Sequence, residues 1–331
     1  RVSQEVRVRF SLRPPKFMEL NKYNNLLELF NFQYNRQSPS DIFLKSLKNP
    51  ENIFTWQQAY DCIQKLSNEL NLIIEENDRC ILISDNRPEW LISDLAIMLA
   101  NGVTVPAYTT YTERDYEYLI NDSKPSVVIV SDQIQYDKVH SIIKNKNFIK
   151  LVISFEEIKS NNEKIINIKR IFEKENTKKY KLEDLKLKRT DLACIIYTSG
   201  TQGEPKGVML SHGGILNNCE GSYKLLKGIL SSKPKFLTWL PLSHSYEHTV
   251  QFVQISVGAE IYYAESIEKL IKNMSECSPD IMTAVPRFYQ NLYQKINSNF
   301  NKAKSIKRYL INKTLELGKK KITKKRDIFF R

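Results

Sequence analysis

The densest set of chemically useful side chains lies between Cys194 and His212, which reads Cys-Ile-Ile-Tyr-Thr-Ser-Gly-Thr-Gln-Gly-Glu-Pro-Lys-Gly-Val-Met-Leu-Ser-His. An apolar run, Cys194 to Tyr197, gives way to the hydroxyls of Thr198, Ser199 and Thr201, the amide of Gln202, and Lys206 behind Pro205. The 331 residues include only 10 glycines, and five of them (Gly200, Gly203, Gly207, Gly213, Gly214) fall between positions 200 and 214. A chain so sparing with glycine places it where backbone bends sharply or approaches a ligand. A strand running into such a loop can turn several backbone N–H groups to one side as a nest for anionic oxygens. The hydroxyls add donors, and Lys206 adds a mobile ammonium suited to phosphate as a point charge. Three glycines alone would equally suit a tight turn without a ligand; the hydroxyls and the lysine turn the balance to phosphate. The spacing is not that of a Walker A loop, Gly-x-x-x-x-Gly-Lys-Ser/Thr, because the sixth position is Pro205 counted from Gly200 and Val208 counted from Gly203.

A second cluster is Leu240-Pro-Leu-Ser-His244-Ser-Tyr-Glu247-His248. His244 and His248 stand four apart, as a helical metal pair would. Glu247 is not placed as in His-Glu-x-x-His, however, and no third ligand is evident, so no metal-ligating residue is assigned. By position His244 suits a helix cap, and Glu247 a hydrogen bond at the same helix entrance. His140 and His212 read as surface or loop residues.

The elements that must hold these groups alternate between strand and helix. Thr55 with Gln58 fits a capping box before a helix whose apolar positions run from Trp56 to Leu70. Strands are expected at 80–83, 103–107, 127–130, 151–154, 192–197, 236–240, 260–263 and 281–285. Helices are expected from Pro88 to Leu99, 112–121, 132–144, 214–230, 246–257 and 267–274, with one long basic helix from Phe288 onward. Such alternation predicts an α/β fold of two doubly wound, largely parallel lobes. Residues 1–50 show little periodicity and read as an N-terminal arm. Residues 51–154 read as the first lobe and 191–331 as the second, which carries the glycine loop. Residues 155–190, rich in Lys, Glu and Asn, read as a charged linker or surface insertion.

Composition narrows the class. Hydrophobic residues at 41% and charged residues at 26% describe a globular protein with room for a large core. No window approaches the roughly 18 consecutive apolar residues of a membrane span. Five scattered cysteines without a Cys-x-x-Cys pair argue against a disulfide framework or zinc site and for a reduced intracellular compartment. The net charge of +13 is concentrated at one end, since residues 295–331 hold 13 basic and 2 acidic side chains. That run reads first as a solvated helix face, with contact to an anionic membrane as the second reading; no nucleic-acid partner is expected. The chain opens on Arg1 rather than Met and is expected to be a piece of something longer.

Tyr197-Thr-Ser-Gly-Thr-Gln-Gly-Glu-Pro-Lys206-Gly207 resembles the nucleotide loop of the adenylate-forming enzymes, which include acyl-CoA synthetases, luciferases and the adenylation domains of peptide synthetases. Where the family usually has a second Thr, this chain has Gln202, which still offers a hydrogen-bond donor. Phe54-Thr-Trp-Gln57 resembles an earlier family motif. Asn86-Arg-Pro-Glu-Trp90 with Leu95-Ala-Ile, Val103-Thr-Val-Pro-Ala-Tyr-Thr109, the His244 segment, and Ala284-Val-Pro-Arg287 are similar to long-chain fatty acyl-CoA synthetases in particular.

The resemblance implies two steps. A fatty carboxylate attacks the α-phosphate of ATP to give acyl-adenylate and pyrophosphate, and the thiol of CoA then displaces AMP. It implies Mg²⁺ with the ATP, Thr198, Ser199, Gly200, Thr201, Gln202, Gly203 and Lys206 on the phosphates, and His244 beside the carboxylate and α-phosphate. Lys206 and His244 are thus the catalytic candidates, and Glu247 joins the nucleotide-binding set. Phe252, Tyr262, Tyr263, Phe288 and Tyr289 fit core packing first and the wall of an acyl channel second. The family's later motifs, a Thr-Glu segment for Mg²⁺, a Thr-Gly-Asp for the ribose and a C-terminal lysine, are not found in this chain. The piece is therefore expected to be inactive alone. An intracellular location follows, cytoplasmic or peripheral on a cytoplasmic membrane face. The alternatives are an adenylate-forming ligase for aryl or short acids or with a carrier-protein acceptor, and a non-catalytic nucleotide- or acyl-binding relative.

Overall fold

Parallel strands form because the chain strings short β-branched runs between amphipathic helices, and each helix returns it to the same sheet edge. The computed structural model describes residues 20–176, 180, 182, 185–198, 204–226, 228–302 and 304–329. Two compact units divide the chain, residues 1–282 and 283–331.

Among the described residues of the first unit, a 3₁₀ turn (Leu20–Lys22) leads into helix α1 (Leu26–Tyr34), capped by the Asn25 side chain, followed by strands β1 (Ile42–Ser46) and β2 (Ile53–Thr55). Helix α2 (Trp56–Leu70) opens on a full capping box, with the Thr55 hydroxyl accepting from Gln58 N–H and the Gln58 side chain accepting from Thr55 N–H. Then come β3 (Arg79–Ile83), α3 (Pro88–Leu99) with Pro88 in its first turn, β4 (Val103–Ala107), α4 (Glu113–Ser123), β5 (Val127–Val130) and α5 (Gln133–Ile143). Next are β6 (Leu151–Ser154), β7 (Ile165–Asn167), α6 (Ile168–Glu173), β8 (Leu192–Thr198), β9 (Lys206–Ser211) and α7 (His212–Leu226). The unit closes with β10 (Lys235–Thr238), α8 (Ser245–Ser256), β11 (Glu260–Tyr263), α9 (Leu270–Cys277) and β12 (Ile281–Met282).

A seven-stranded sheet has the order β7-β6-β5-β3-β4-β8-β9, parallel except for the antiparallel β8–β9 hairpin. A five-stranded sheet has the order β12-β10-β11-β1-β2, parallel except for β1–β2. The architecture is mixed α/β with doubly wound, largely parallel sheets. Along β3 the side chains alternate between two cores, Cys80 and Leu82 on one face, Ile81 and Ile83 on the other. Tyr116, Leu119 and Ile120 of α4 and Tyr136 and Val139 of α5 pack on the second face. The first face shares one core with α1, α2, α3 and the five-stranded sheet. All twelve residues of α3 are buried, which explains a helix apolar around nearly its whole circumference.

Several segments differ from the sequence reading. Residues 20–49, within the stretch read as an arm, contain α1 and β1, and β1 pairs in parallel with β11. Their pattern is hidden because α1 buries Leu26, Leu27, Leu29 and Phe30 without clean amphipathic spacing. Residues 155–190, read as a linker or insertion, supply the edge strand β7 and helix α6. That stretch is tied to α2 by Gln64, which donates to the Tyr180 carbonyl at 3.0 Å, and by Lys65, which donates to the Phe172 carbonyl at 2.6 Å. His212, read as a surface or loop residue, is buried at the start of α7, where its Nδ1 accepts from Leu26 N–H at 3.4 Å. Burial lowers its pKa to about 4, so it stays neutral.

The second unit contains two helices where one was expected, α10 (Pro286–Asn301) and α11 (Ser305–Phe329). Arg308 donates from Nη2 to the Asn301 carbonyl at 2.8 Å across their junction. Tyr289 and Tyr293 of α10 and Ile306, Tyr309 and Leu310 of α11 are exposed.

Candidate functional site

The glycine loop is the connection of the β8–β9 hairpin. Ser199, Gly200, Thr201, Gln202 and Gly203 lie outside the described residues, but both roots of the loop are described. Antiparallel pairing sets Tyr197 opposite Gly207 and Thr198 opposite Lys206. The hydroxyl of Thr198 and the ammonium of Lys206 thus flank the loop as register partners, both exposed. The hairpin went unrecognised in the sequence because Val208, Met209 and Leu210 lack polar alternation; Val208 and Met209 are both exposed at the sheet edge. Gly207 meets a real steric demand. A Cβ there would sit 2.9 Å from Ile195 Cγ2 and 3.3 Å from the Tyr197 ring.

Two side chains of α4 reach this hairpin. Tyr118 donates its hydroxyl to the Pro205 carbonyl at 2.9 Å, and Tyr197 donates its hydroxyl to Asp122 Oδ2. Burial and the neighbouring Asp122 carboxylate both raise the Tyr197 pKa, so the phenol remains a neutral donor.

The second cluster forms at the N-terminus of α8. His244 is the N-cap residue, with extended backbone (φ −94°, ψ 134°), and its Nδ1 accepts from Tyr246 N–H at 3.1 Å. A neutral ring accepting at Nδ1 carries its proton on Nε2, so this exposed side chain presents an N–H donor away from its own helix. The preceding turn is pinned by Asn86, whose amide donates to the Leu240 carbonyl at 2.7 Å and whose carbonyl oxygen accepts from Leu242 N–H at 3.1 Å. The Asn86-Arg-Pro-Glu motif and the histidine motif, 154 residues apart, are therefore one structural feature. Arg87 pairs with Glu89 at 3.1 Å and with Glu156 at 3.0 Å, and Asn52 donates to Glu89 at 2.9 Å.

Glu247, assigned to the nucleotide set on sequence grounds, lies in the first turn of α8 and is 0% exposed. A carboxylate there complements the helix dipole. His248 is likewise enclosed, and its Nε2 meets Asp94 Oδ2 of α3 at 2.8 Å. The Trp90 ring stands edge-on to it at 5.2 Å. Burial is the largest single influence on His248 and opposes its charge, but the charge and hydrogen bond of Asp94, together with Cys194 of β8, outweigh it and raise the pKa to about 10. Histidines four residues apart thus do different work: one is exposed and caps its helix through Nδ1, the other belongs to a core ion pair.

The described candidates come together as two pairs, Thr198 with Lys206 and His244 with Glu247. A cleft of about 310 Å³ opens beyond the carboxyl ends of strands from both sheets. It is lined by Asn86 after β3, Tyr108 and Thr109 after β4, Trp239 after β10, and Ser243 next to His244. Ligands in open parallel α/β sheets bind in such crevices. Sequence reasoning missed Asp94, Tyr118 and Asp122 as partners of the site; nothing in their local pattern distinguishes them from ordinary helical residues. Phe252 and Tyr263 are core residues at 0% exposure, and Tyr262 is 7% exposed.

Among the described residues no group of three or more His, Cys, Asp or Glu side chains converges to hold a metal ion. The described residues do not form a Mg²⁺ site by themselves. All five cysteines are free thiols. Among the described residues no helix is long and apolar enough to cross a membrane.

Comparison with known proteins gives a consistent picture. The family model described as AMP-binding enzyme matches residues 32–329. Long chain acyl-CoA synthetase 4 of Arabidopsis thaliana is 29% identical over 272 residues, covering 78% of this chain and 40% of the relative. Long-chain-fatty-acid–CoA ligase 5 of Rattus norvegicus is 32% identical over 246 residues, covering 70% of this chain and 35% of the relative. The chain thus spans well under half the length of these relatives. The crystal structure of ATP-bound MatB from Rhodopseudomonas palustris superposes with a TM-score of 0.67 at 20% identity, covering 82% of this chain and 51% of that one. At that identity the likeness is one of fold.

Proposed function

The chain belongs to the AMP-binding enzyme family, and from that premise we propose that the full-length protein is a long-chain fatty acid–CoA ligase using ATP, Mg²⁺ and CoA. In the first step a carboxylate oxygen of the fatty acid attacks the α-phosphorus of ATP. The bond from that phosphorus to the bridging oxygen breaks, leaving acyl-adenylate and pyrophosphate. In the second step the CoA thiol, losing its proton, attacks the acyl carbon and AMP departs with its oxygen. The acyl preference is taken from the relatives named above, whose names specify long-chain acids.

A single observation carries the nucleotide half of this reading: Thr198 and Lys206 face each other across the root of the glycine loop. A hydroxyl donor and an ammonium so placed can grip the β- and γ-phosphates with the backbone N–H groups of residues 199–203. Charged and hydroxyl donors of this kind hold phosphate oxygens through charge-assisted hydrogen bonds. His244, its Nδ1 committed to the helix cap, would direct Nε2–H to the acid or the α-phosphate.

Full-length protein should catalyse fatty-acid-dependent exchange of labelled pyrophosphate into ATP, with release of AMP only when CoA is added. Residues 1–331 alone should not. Exchange that favours aryl or short acids, or no exchange at full length, would overturn the reading. We also place residues 295–331, with their 13 basic against 2 acidic side chains, on an anionic membrane surface. Sedimentation of full-length protein with anionic vesicles at low salt, reversed at high salt, is the expected outcome; no sedimentation would remove this contact.

A further inference from the structure

The loop between β8 and β9 is tied at both roots to one face of one helix. Tyr118 and Asp122 stand four apart on α4, a spacing that places them one above the other. Tyr118 holds the exit root through the Pro205 carbonyl at 2.9 Å, and Asp122 holds the entry root by accepting from the Tyr197 hydroxyl. The rings of Tyr118 and Tyr197 meet edge-on at 6.5 Å, so the two tethers also touch each other.

The helix that carries them is firmly seated. It opens on a capping box between Thr112 and Asp115, buries Tyr116, Leu119 and Ile120, and its Tyr116 hydroxyl donates to the Tyr108 carbonyl at 2.7 Å. Arg79 of β3 donates to the Ser123 carbonyl at 2.7 Å at its other end. The loop exit is less well packed. A cavity of about 230 Å³ separates α4 from Glu204 and Pro205, and the Tyr118 hydroxyl reaches across it. Tyr118 is half-buried and Asp122 exposed. Hydrogen bonds at such sites contribute little to global stability, so the effect of these two belongs to the local geometry they fix.

We propose that Tyr118 and Asp122 are positioning residues for the phosphate loop, a two-point brace that sets the separation and tilt of the strands carrying Thr198 and Lys206. Tyr197 is the receiving member on β8, and Gly207 opposite it leaves room for the ring. The brace rests on the reading of this loop as the one that grips the phosphates of ATP.

The test uses full-length enzyme with Tyr118→Phe, Asp122→Ala and Tyr197→Phe, each of which removes the donor or acceptor of one tether, alongside Lys206→Ala. Each brace variant should raise KM for MgATP by about 3- to 10-fold, the range of one lost hydrogen bond. Values of kcat at saturating ATP and of KM for fatty acid and CoA should stay within about twofold, as expected for binding lost equally in ground and transition state. Midpoints of thermal unfolding should move by no more than about 2 °C. Tyr197→Phe added to Asp122→Ala should have less than about a twofold further effect, because both remove the same bond. Lys206→Ala should raise KM for ATP at least about tenfold. If Lys206→Ala acts on ATP and the brace variants do not, the brace is overturned and the loop assignment stands. If Lys206→Ala leaves ATP kinetics unchanged, the assignment fails and the brace with it. A brace variant that shifts KM for all three substrates together with the unfolding midpoint also overturns the proposal, since that is the signature of general destabilisation.

Discussion

The root of the glycine loop and the contact between α3 and α8 use the same kinds of side chain to opposite ends. At the loop root, Lys206 on the edge strand β9 and Thr198 on its neighbour β8 are exposed, and the hairpin that carries them is tied down by tyrosine hydroxyls. Between α3 and α8, Asp94 and His248 are 0% and 1% exposed and make a 2.8 Å ion pair. An exposed charge is available to a ligand but holds little together. An enclosed charge cannot reach a ligand; leaving it without its partner is strongly unfavourable. His244 and His248 show the division within a single helical turn.

The sharpest way to break that contrast is to remove one member of the enclosed pair. Asp94→Ala should lower the unfolding free energy by about 3–5 kcal/mol, because it leaves His248 buried without a counter-charge. The pH dependence distinguishes this from a simple cavity. The pKa of His248 is raised to about 10 from the ordinary 6.5, so its stabilisation is fully present below pH 6.5 and is lost as pH rises through about 10. With Asp94 gone, burial, the largest influence, is opposed only by Cys194 and the sign reverses, so the variant should gain stability as pH rises through the ordinary histidine range. Denaturant unfolding of wild type and variant between pH 6 and 10 should therefore show a destabilisation that shrinks with rising pH. A constant difference would mean that the pair is not ionic.

Much of this arrangement was legible in the sequence. Helix α3 falls where Pro88 and the apolar run to Leu99 place it, and the capping box at Thr55 marks the start of α2. Both are local signals, carried by a few neighbouring residues. Strand β9, by contrast, is specified by its pairing with β8, and β1 by a partner more than two hundred residues away, so neither has a local signature. The candidate site divides in the same way. Lys206 and Thr198 could be read from type and spacing and His244 from the resemblance of its motif, while Asn86, Tyr118 and Asp122 act through long-range hydrogen bonds that only the fold creates. The enclosure of Glu247 was hidden for the same reason, since burial depends on what α8 packs against.

His244 offers the finer test, because it performs a structural and a proposed chemical task with different atoms of one ring. Its Nδ1 accepts from Tyr246 N–H and caps α8, whereas Nε2 is the donor proposed to meet the acid or the α-phosphate. Asparagine is among the best N-caps, and its side-chain oxygen can accept the same backbone N–H. His244→Asn should therefore change the unfolding free energy by no more than about 0.5 kcal/mol, since the cap survives. The same change should lower kcat/KM of full-length enzyme by about 10²-fold, the usual effect of removing one preorganised donor from developing charge. His244→Ala should show the same kinetic loss plus a destabilisation of about 1 kcal/mol from the missing cap. If asparagine retains both stability and activity, the ring serves only as a cap. The functional boundary then moves off α8 toward the loop root, where Thr198 and Lys206 are exposed.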